Sequence, residues 1–486
     1  MKKNSIAKNV IHLFYSTALS SAINASALIV LAYYLHSYNY GLFSVVLAIA
    51  MIMGYFTDAG LSGIVLREGS KKEVDTPILM SSYIKLRFTL LLFVFIGGFL
   101  LIEIVHQNNQ ELLKTAYYLI IPMVTGVALQ SIGTTYFQLV EKMHFFGLIR
   151  IVSAVCLLLT LSIGMAASLS PYLISFLYGF SYMMGGLFGL YLVRKHIRIP
   201  VKCPFHKGIL QNIGAFTIGG FLFIILPHLG PIVLENTISL AEVGLFAVAY
   251  RIPQALQQIP FVVAGAYYPV LFRYYNQRLL VEHLKLNINQ IKFMALIGMA
   301  MCVIFFHLSE FVISLLFGAD WLGAVVPLKI LSVMLVLQSV NIALADGLTS
   351  RSRQNHRMTV QLIAVILGAV MYYYFSLPYG VIGAALAGVC IEMLALTGFW
   401  LCNPHRVVIA KRAILPYMTF FAISVGVCSY FLNHIPLLAL IINLLFIGIF
   451  MMLDKEMRGK IKEFFITKTL VDRSGINKSE GVKDGA

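Results

Sequence analysis

Runs of about twenty apolar residues, each closed by charge or by proline and glycine, fill this chain almost from end to end. They fall at roughly 10–35, 41–62, 82–104, 114–138, 147–168, 171–193, 210–234, 243–270, 292–317, 324–347, 358–376, 379–401, 413–432 and 435–453. A helix of that length spans the ~30 Å hydrocarbon core of a bilayer. Inside hydrocarbon, a chain must satisfy its own backbone hydrogen bonds. The pattern predicts an all-α polytopic membrane protein of about 14 transmembrane helices, the last two being the closest to a single re-entrant hairpin. Composition agrees: of 486 residues, 59% are hydrophobic and 12% charged, far too little polar surface to cover a water-soluble globule of this size.

The net charge of +16 therefore concerns topology. Nucleic acid is excluded as a partner, because no stretch is long and polar enough to present a basic face on a soluble domain. With the N-terminus taken as cytoplasmic, 33 of the 36 Lys and Arg fall in segments on that side, and only Lys114, Arg251 and Lys329 do not. One helix more or fewer would scramble this alternation, so the positive-inside rule supports the count and places both termini in the cytoplasm. The outer loops, such as 36–40 and 168–171, are too short to form a domain. Six scattered cysteines without a C-x-x-C pair indicate neither a disulfide framework nor a zinc site. The basic start at Lys2 and Lys3 leads into an apolar segment without a small-residue cleavage site, which reads as a retained helix and not a signal peptide. Residues 454–486 read as a basic, solvated cytoplasmic tail that lies on the anionic leaflet.

The chain also repeats itself. YGLFSVVLAI from Tyr40 matches VGLFAVAYRI from Val243, LQSI from Leu129 matches LQSV from Leu337, and SPYLI from Ser170 matches LPYGV from Leu377. The shared offset of about 205 residues implies a duplicated six-helix unit. Six is even, so the copies share an orientation and are related by a pseudo-two-fold axis along the membrane normal. The expected organisation is a six-helix lobe at 1–205, a second at 206–405, an added helix pair at 406–453 and the tail at 454–486. In this register Arg251 corresponds to Ala48, so only the second copy carries the cation.

A cation at mid-helix costs about 2.5–3.5 kcal/mol even on the lenient insertion scale, so it is expected to face a cavity or a partner. From Arg251, Gln254 and Gln258 continue one polar stripe at helical spacing, and Pro253 and Pro260 free nearby backbone carbonyls. Lys329 begins a similar stripe with Ser332 and Ser339. Neutral polar stripes at Ser16, Ser20 and Asn24 and at Gln130, Thr134 and Gln138 complete a set of candidate substrate-binding residues lining a wet, net-positive interior. The structural alternative for Arg251 is an outer-surface anchor that pairs with Glu235 or Glu242 or snorkels to headgroups. Glu392, Asp58 and Asp346 are candidate ion-coupling acids, of which Glu392 lies deepest; Asp58 and Asp346 also suit pairing with Arg67 or Arg351. His228 and His307 read as packing residues. Rings around Tyr136 and Tyr267 offer faces to sugars. No G-x-x-x-x-G-K-[ST], H-E-x-x-H or G-x-S-x-G motif is present, so neither an ATP site nor a hydrolase is indicated; no cofactor or metal is expected.

Four segments carry a family resemblance: YNYGLFSVVLAIAMIMGYFTDAGLSGIVLREGSKK, EVGLFAVAYRIPQALQQIPFVVAGAYYPVLFR, LLFGADWLGAVVPLKILSVMLVLQSVN and YGVIGAALAGVCIEML. In order and spacing they resemble Wzx-type polysaccharide flippases of the multidrug/oligosaccharidyl-lipid/polysaccharide exporter superfamily, over roughly residues 8–405. The resemblance implies paired six-helix bundles working by alternating access in a bacterial inner membrane. It implies a substrate of oligosaccharide linked through pyrophosphate to undecaprenol, a place in O-antigen or capsule assembly, and a polysaccharide polymerase and chain-length regulator as partners. The helix pair beyond the usual twelve resembles the lipid II flippase arrangement. Competing functions are a cation-coupled multidrug exporter, which should line its pocket with acids, and a polymerase or ligase enzyme, which should carry a large outer loop.

Overall fold

The structure is a computed structural model that describes residues 3–459 except 70, 72–73, 201–202, 211–212 and 433. Most of the expected basic tail lies outside the described residues. The described residues form helices and no strand, in the order α1 (Lys3–Phe56), α2 (Leu61–Gly69), α3 (Thr76–His106), α4 (Gln110–Leu139), α5 (Met143–Ala166), α6 (Pro171–His196), α7 (Ile213–Leu234) and α8 (Leu240–Leu256). There follow α9 (Gln258–Asn276), α10 (Leu280–His307), α11 (Ser309–Phe317), α12 (Val325–Thr349), α13 (Gln354–Leu401), α14 (Arg406–Ile409), α15 (Leu415–Phe431) and α16 (Pro436–Leu453).

Among the described residues, 11 continuous helical stretches are long and apolar enough to cross a membrane. Two of them are far too long for a single crossing. The 54 residues of α1 break at His36, with φ 56°, and the 48 residues of α13 break at Gly380, with φ 54°. The break at His36 lies in the loop expected at 36–40, and that at Gly380 lies at the start of the run expected from 379, so each stretch supplies two crossings; α7 adds the fourteenth. Helix starts follow local chemistry. Proline opens α3, α6 and α16, where its missing N–H costs nothing. Asn109 caps α4 through Leu112 N at 3.0 Å, and Ser239 with Glu242 forms a capping box on α8. The last two runs form separate helices, so a re-entrant hairpin is not needed.

The ninth crossing departs from expectation. Instead of 292–317 it occupies Leu280–His307, followed by the separate α11. Polar residues made its first half read as a loop, but each finds a partner in the bundle. His283 meets Ser350 Oγ at 2.8 Å, Asn287 donates to the Ala343 carbonyl at 2.9 Å, Gln290 to Asp346 at 2.8 Å and Lys292 to Asp454 at 2.8 Å. Satisfied polar groups are tolerated at depth.

Packing density groups helices by contact and not by ancestry. It separates one unit of residues 1–258, 310–331 and 358–391 from a second of 259–309, 332–357 and 392–486. In the first unit the duplicated motifs meet. A Cβ on Gly41 would lie 2.9 Å from Gly244 N, and one on Gly244 would lie 3.2 Å from Gly41 N. The glycine shared by YGLF and VGLF therefore lets α1 and α8 touch backbone to backbone. A core of Leu61, Val65, Tyr83, Ile132, Phe137 and Val193 holds one end of this unit together. In the second unit, Lys292 reaches both Asp454 and Glu456 at 2.8 Å, and Tyr417 donates to Asp454 at 3.0 Å, fastening α15 and the end of α16 to α10.

Candidate functional site

Arg251 lies half-buried on α8 and donates to Gln254 Oε1 at 3.0 Å. The polar stripe ends there: the helix stops at Leu256 and Gln258 opens α9 as an exposed residue. Pro253 and Pro260 remove backbone donors on either side of that break, which explains why a continuous stripe fails. Around the guanidinium the first unit gathers the Tyr40 phenol from α1, those of Tyr178 and Tyr182 from α6, and the His228 ring from α7, all within electrostatic reach. The rings are braced further out. Tyr40 packs edge-on against Trp321 at 5.7 Å, Phe43 edge-on against Tyr178 at 5.0 Å, and Tyr178 lies 5.7 Å from Tyr182. His228, expected to be packing alone, thus lies within electrostatic reach of the cation.

Among the described residues no carboxylate lies within 4.0 Å of Arg251. The two acids that would anchor it are engaged elsewhere. Glu235 meets His106 Nε2 at 2.9 Å, and Glu242 accepts from the Ser239 backbone at 3.0 Å and side chain at 2.8 Å. Glu235 lies just beyond α7; burial raises its pKa, partly opposed by the His106 bond.

The neutral stripes divide. Asn24 is half-buried on α1, but Ser16 and Ser20 are buried, Ser20 bonding to the Thr17 carbonyl at 3.1 Å. Gln130 is a bracket: its amide donates to Ser153 Oγ at 2.9 Å and the Tyr182 carbonyl at 3.0 Å, tying α4 to α5 and α6. Gln138 is exposed at the end of α4. Lys329 is half-buried on α12, whereas Ser332 and Ser339 turn inward, toward Cys302 Sγ at 3.5 Å and the Leu335 carbonyl at 2.6 Å. The stripe from Lys329 is thereby broken into parts with different surroundings. Tyr136 belongs to the buried core and offers no face to a sugar; Tyr267 is half-buried.

The three acids differ as sharply. Asp58 pairs with Arg87 of α3, not with Arg67, and also accepts from Ser62 and, at 3.2 Å, from Tyr83. Asp346 accepts from Gln290, while Arg351 turns to His283 Nδ1 at 3.2 Å. Glu392 is buried with both carboxylate oxygens engaged, by Gln338 Nε2 at 3.0 Å and Asn341 Nδ2 at 2.8 Å. The amide oxygens of Gln338 and Asn341 are buried without a hydrogen-bond partner among the described residues. Asp346 and Glu392 are both held by neutral amide donors, but Arg357 acts on Asp346, whereas no Arg or Lys acts on the Glu392 carboxylate among the described residues.

Three cations escaped the sequence reading because they were counted as loop charges. Arg87, Arg150 and Lys292 all lie within helices; their signal was a cation inside, or at the first residue of, an apolar run.

The family model described as polysaccharide biosynthesis protein matches residues 6–275. No curated protein sequence matches the chain significantly. Among solved structures, the lipid II flippase MurJ in an inward closed conformation has a TM-score of 0.67 at 15% identity, covering 91% of this chain and 98% of its own. An inward-facing multidrug resistance MATE family transporter of the MOP superfamily has a TM-score of 0.69 at 15% identity, with coverages of 83% and 99%. A MOP superfamily transporter from Pyrococcus furiosus, described by the reverse polarity of its binding pocket, has a TM-score of 0.59 at 15% identity, with coverages of 83% and 96%. The multi-pass helical fold is thus that of MOP-superfamily transporters, and the chain belongs to the polysaccharide biosynthesis protein family.

Proposed function

We propose that the protein is a flippase that moves undecaprenyl-pyrophosphate-linked oligosaccharide repeat units from the cytoplasmic to the periplasmic leaflet of a bacterial inner membrane, for O-antigen or capsule assembly. The lobes at 1–205 and 206–405 are the halves that alternate access, both termini face the cytoplasm, and a polymerase and chain-length regulator receive the product. The observation that carries this reading is Arg251, a half-buried guanidinium among tyrosines with no carboxylate beside it among the described residues. A cation left unneutralised inside an apolar bundle is stabilised by an anionic ligand, and a lipid-linked pyrophosphate supplies about two negative charges. Lys329, Gln254, Asn24 and the exposed Gln258 and Gln138 are candidates for contacts to the head, and the prenyl tail stays in lipid. Support also comes from the family and from a fold-level neighbour named for flipping lipid II.

A cation exporter fits less well, because an organic cation is repelled by Arg251. Glu392 is the candidate for a proton or sodium step that resets the empty carrier; Asp346 is a weaker one, and Asp58 is neutralised by Arg87. The reading is tested by Arg251→Ala in a strain whose surface glycan depends on this protein. The expected result is undecaprenyl-linked repeat units trapped in the inner leaflet with the variant still inserted; normal surface glycan would reject the binding role.

A further inference from the structure

A second guanidinium in the same unit has no carboxylate partner among the described residues. Arg150 stands in the second turn of α5, solvent-accessible although protein surrounds it. Its Nη1 donates to Thr17 Oγ1 of α1 at 3.2 Å, and its Cζ lies 5.7 Å from the Phe146 ring centre. A cation that merely snorkelled would extend to the headgroups near its own helix end; this one turns inward to α1. Among the described residues no carboxylate is within 4.0 Å of it.

Arg150 and Arg251 share a neighbour. Ser153, one turn beyond Arg150 on the same face of α5, accepts from the Gln130 amide, which also holds the Tyr182 carbonyl. That bracket fixes Tyr182 beside the Arg150 face, and the Tyr182 phenol lies within electrostatic reach of both guanidiniums. Tyr178, hydrogen-bonded to Tyr182, continues the contact to Arg251. The cations on α5 and α8, neither with a carboxylate within 4.0 Å among the described residues, both act on the Tyr182 phenol of α6.

We infer that Arg150 is the phosphate-counting residue of this site: with Arg251 it selects lipid carriers that bear a pyrophosphate over those that bear a single phosphate. This rests on the flippase reading and deepens it. One guanidinium matches the one charge of a phosphodiester; a second is needed where two adjacent phosphates each carry a charge. Thr17, a neutral acceptor, holds the Arg150 side chain in place until the second phosphate arrives.

The test is equilibrium binding of a short-chain polyprenyl-pyrophosphoryl sugar, with one charge on each of two phosphates, and of the matching polyprenyl-phosphoryl sugar, a phosphodiester of one charge, to the purified full-length protein in nanodiscs. Wild type should bind the pyrophosphate about tenfold or more tightly than the monophosphate, the scale of one charge-assisted contact. Arg150→Gln should abolish that preference with monophosphate affinity unchanged, whereas Arg251→Gln should weaken both. Should the Gln variant not accumulate as folded protein, Arg150→Lys replaces it: it keeps the charge, loses the planar fork, and should lower the preference at least threefold. An unchanged preference in the variant used, or equal loss for both lipids, overturns the inference. A wild type that binds both lipids equally also overturns it while leaving the flippase reading intact; a wild type that binds neither defeats both.

Discussion

Arg251 and Arg87 are both guanidiniums within apolar helices, and their surroundings give them opposite roles. Arg87 is 1% exposed and spends its donors on Asp58, the Ala128 carbonyl at 3.3 Å and the Val127 carbonyl at 3.4 Å. Arg251 meets one amide and a ring of phenols, which leaves it able to take an anion. Asp58→Asn should therefore act on the fold: removing one partner of a buried pair costs about 3–5 kcal/mol. The expected signs are a lower unfolding temperature in detergent and less inserted protein, with transport falling only in proportion. Glu392→Gln is the contrasting case. It preserves shape and exchanges one oxygen for an amide in a pocket of amides, so the protein should accumulate normally. Transport measured against imposed proton and sodium gradients should lose its gradient dependence, and full retention of that dependence would remove Glu392 from coupling.

Among the elements, the contact of α1 with α8 is the one most sensitive to a single atom. Gly41 and Gly244 approach so closely that a side chain on either must push backbone, not a flexible neighbour. Gly244→Val should cost about 1–3 kcal/mol by overpacking, read as a lowered unfolding temperature, whereas Gly265→Val, where an added Cβ meets nothing within 4 Å, should cost none of this. At the far end of the chain Lys292 gathers Asp454 and Glu456. Burial works to raise the Asp454 pKa, but bonds from Lys292, the Met457 backbone N–H and Tyr417 outweigh it and hold the carboxyl below its usual range. A depressed carboxylate contributes stability above its unfolded pKa of about 3.9 and loses it as pH falls through the lower folded value. Acid unfolding of Lys292→Met should show that component reduced, since the Met457 and Tyr417 bonds remain.

For the whole molecule, the substrate proposed above is a dianion, and the question is what would drive it across. With the cytoplasm negative, moving two charges outward is favoured by about 4–5 kcal/mol per 100 mV. In proteoliposomes holding lipid-linked pyrophosphate, an imposed potassium diffusion potential should shift the leaflet distribution in the direction that its sign dictates, and collapsing it should equalise the leaflets. A distribution indifferent to potential would mean that the charge crosses neutralised.

What the amino-acid order carried by itself was most of the crossings, the ninth being displaced, and the repeated strings YGLF and VGLF, because bilayer thickness is met by local composition. The break at His36 lies in an expected loop, and that at Gly380 falls just past one. The tertiary structure alone decided which charges are paired. Asp58 finds Arg87 at a separation of 29 residues, Glu235 finds His106 at 129, and Lys292 finds Asp454 at 162. Periodicity places a charge on a helix but carries no information about the distant helix it faces. For that reason Arg87, Arg150 and Lys292 passed as loop charges, and the polar stripes beyond Gln254 and Lys329 came apart. In a low-dielectric interior, the partner across the interface decides whether a cation is structural or free to bind.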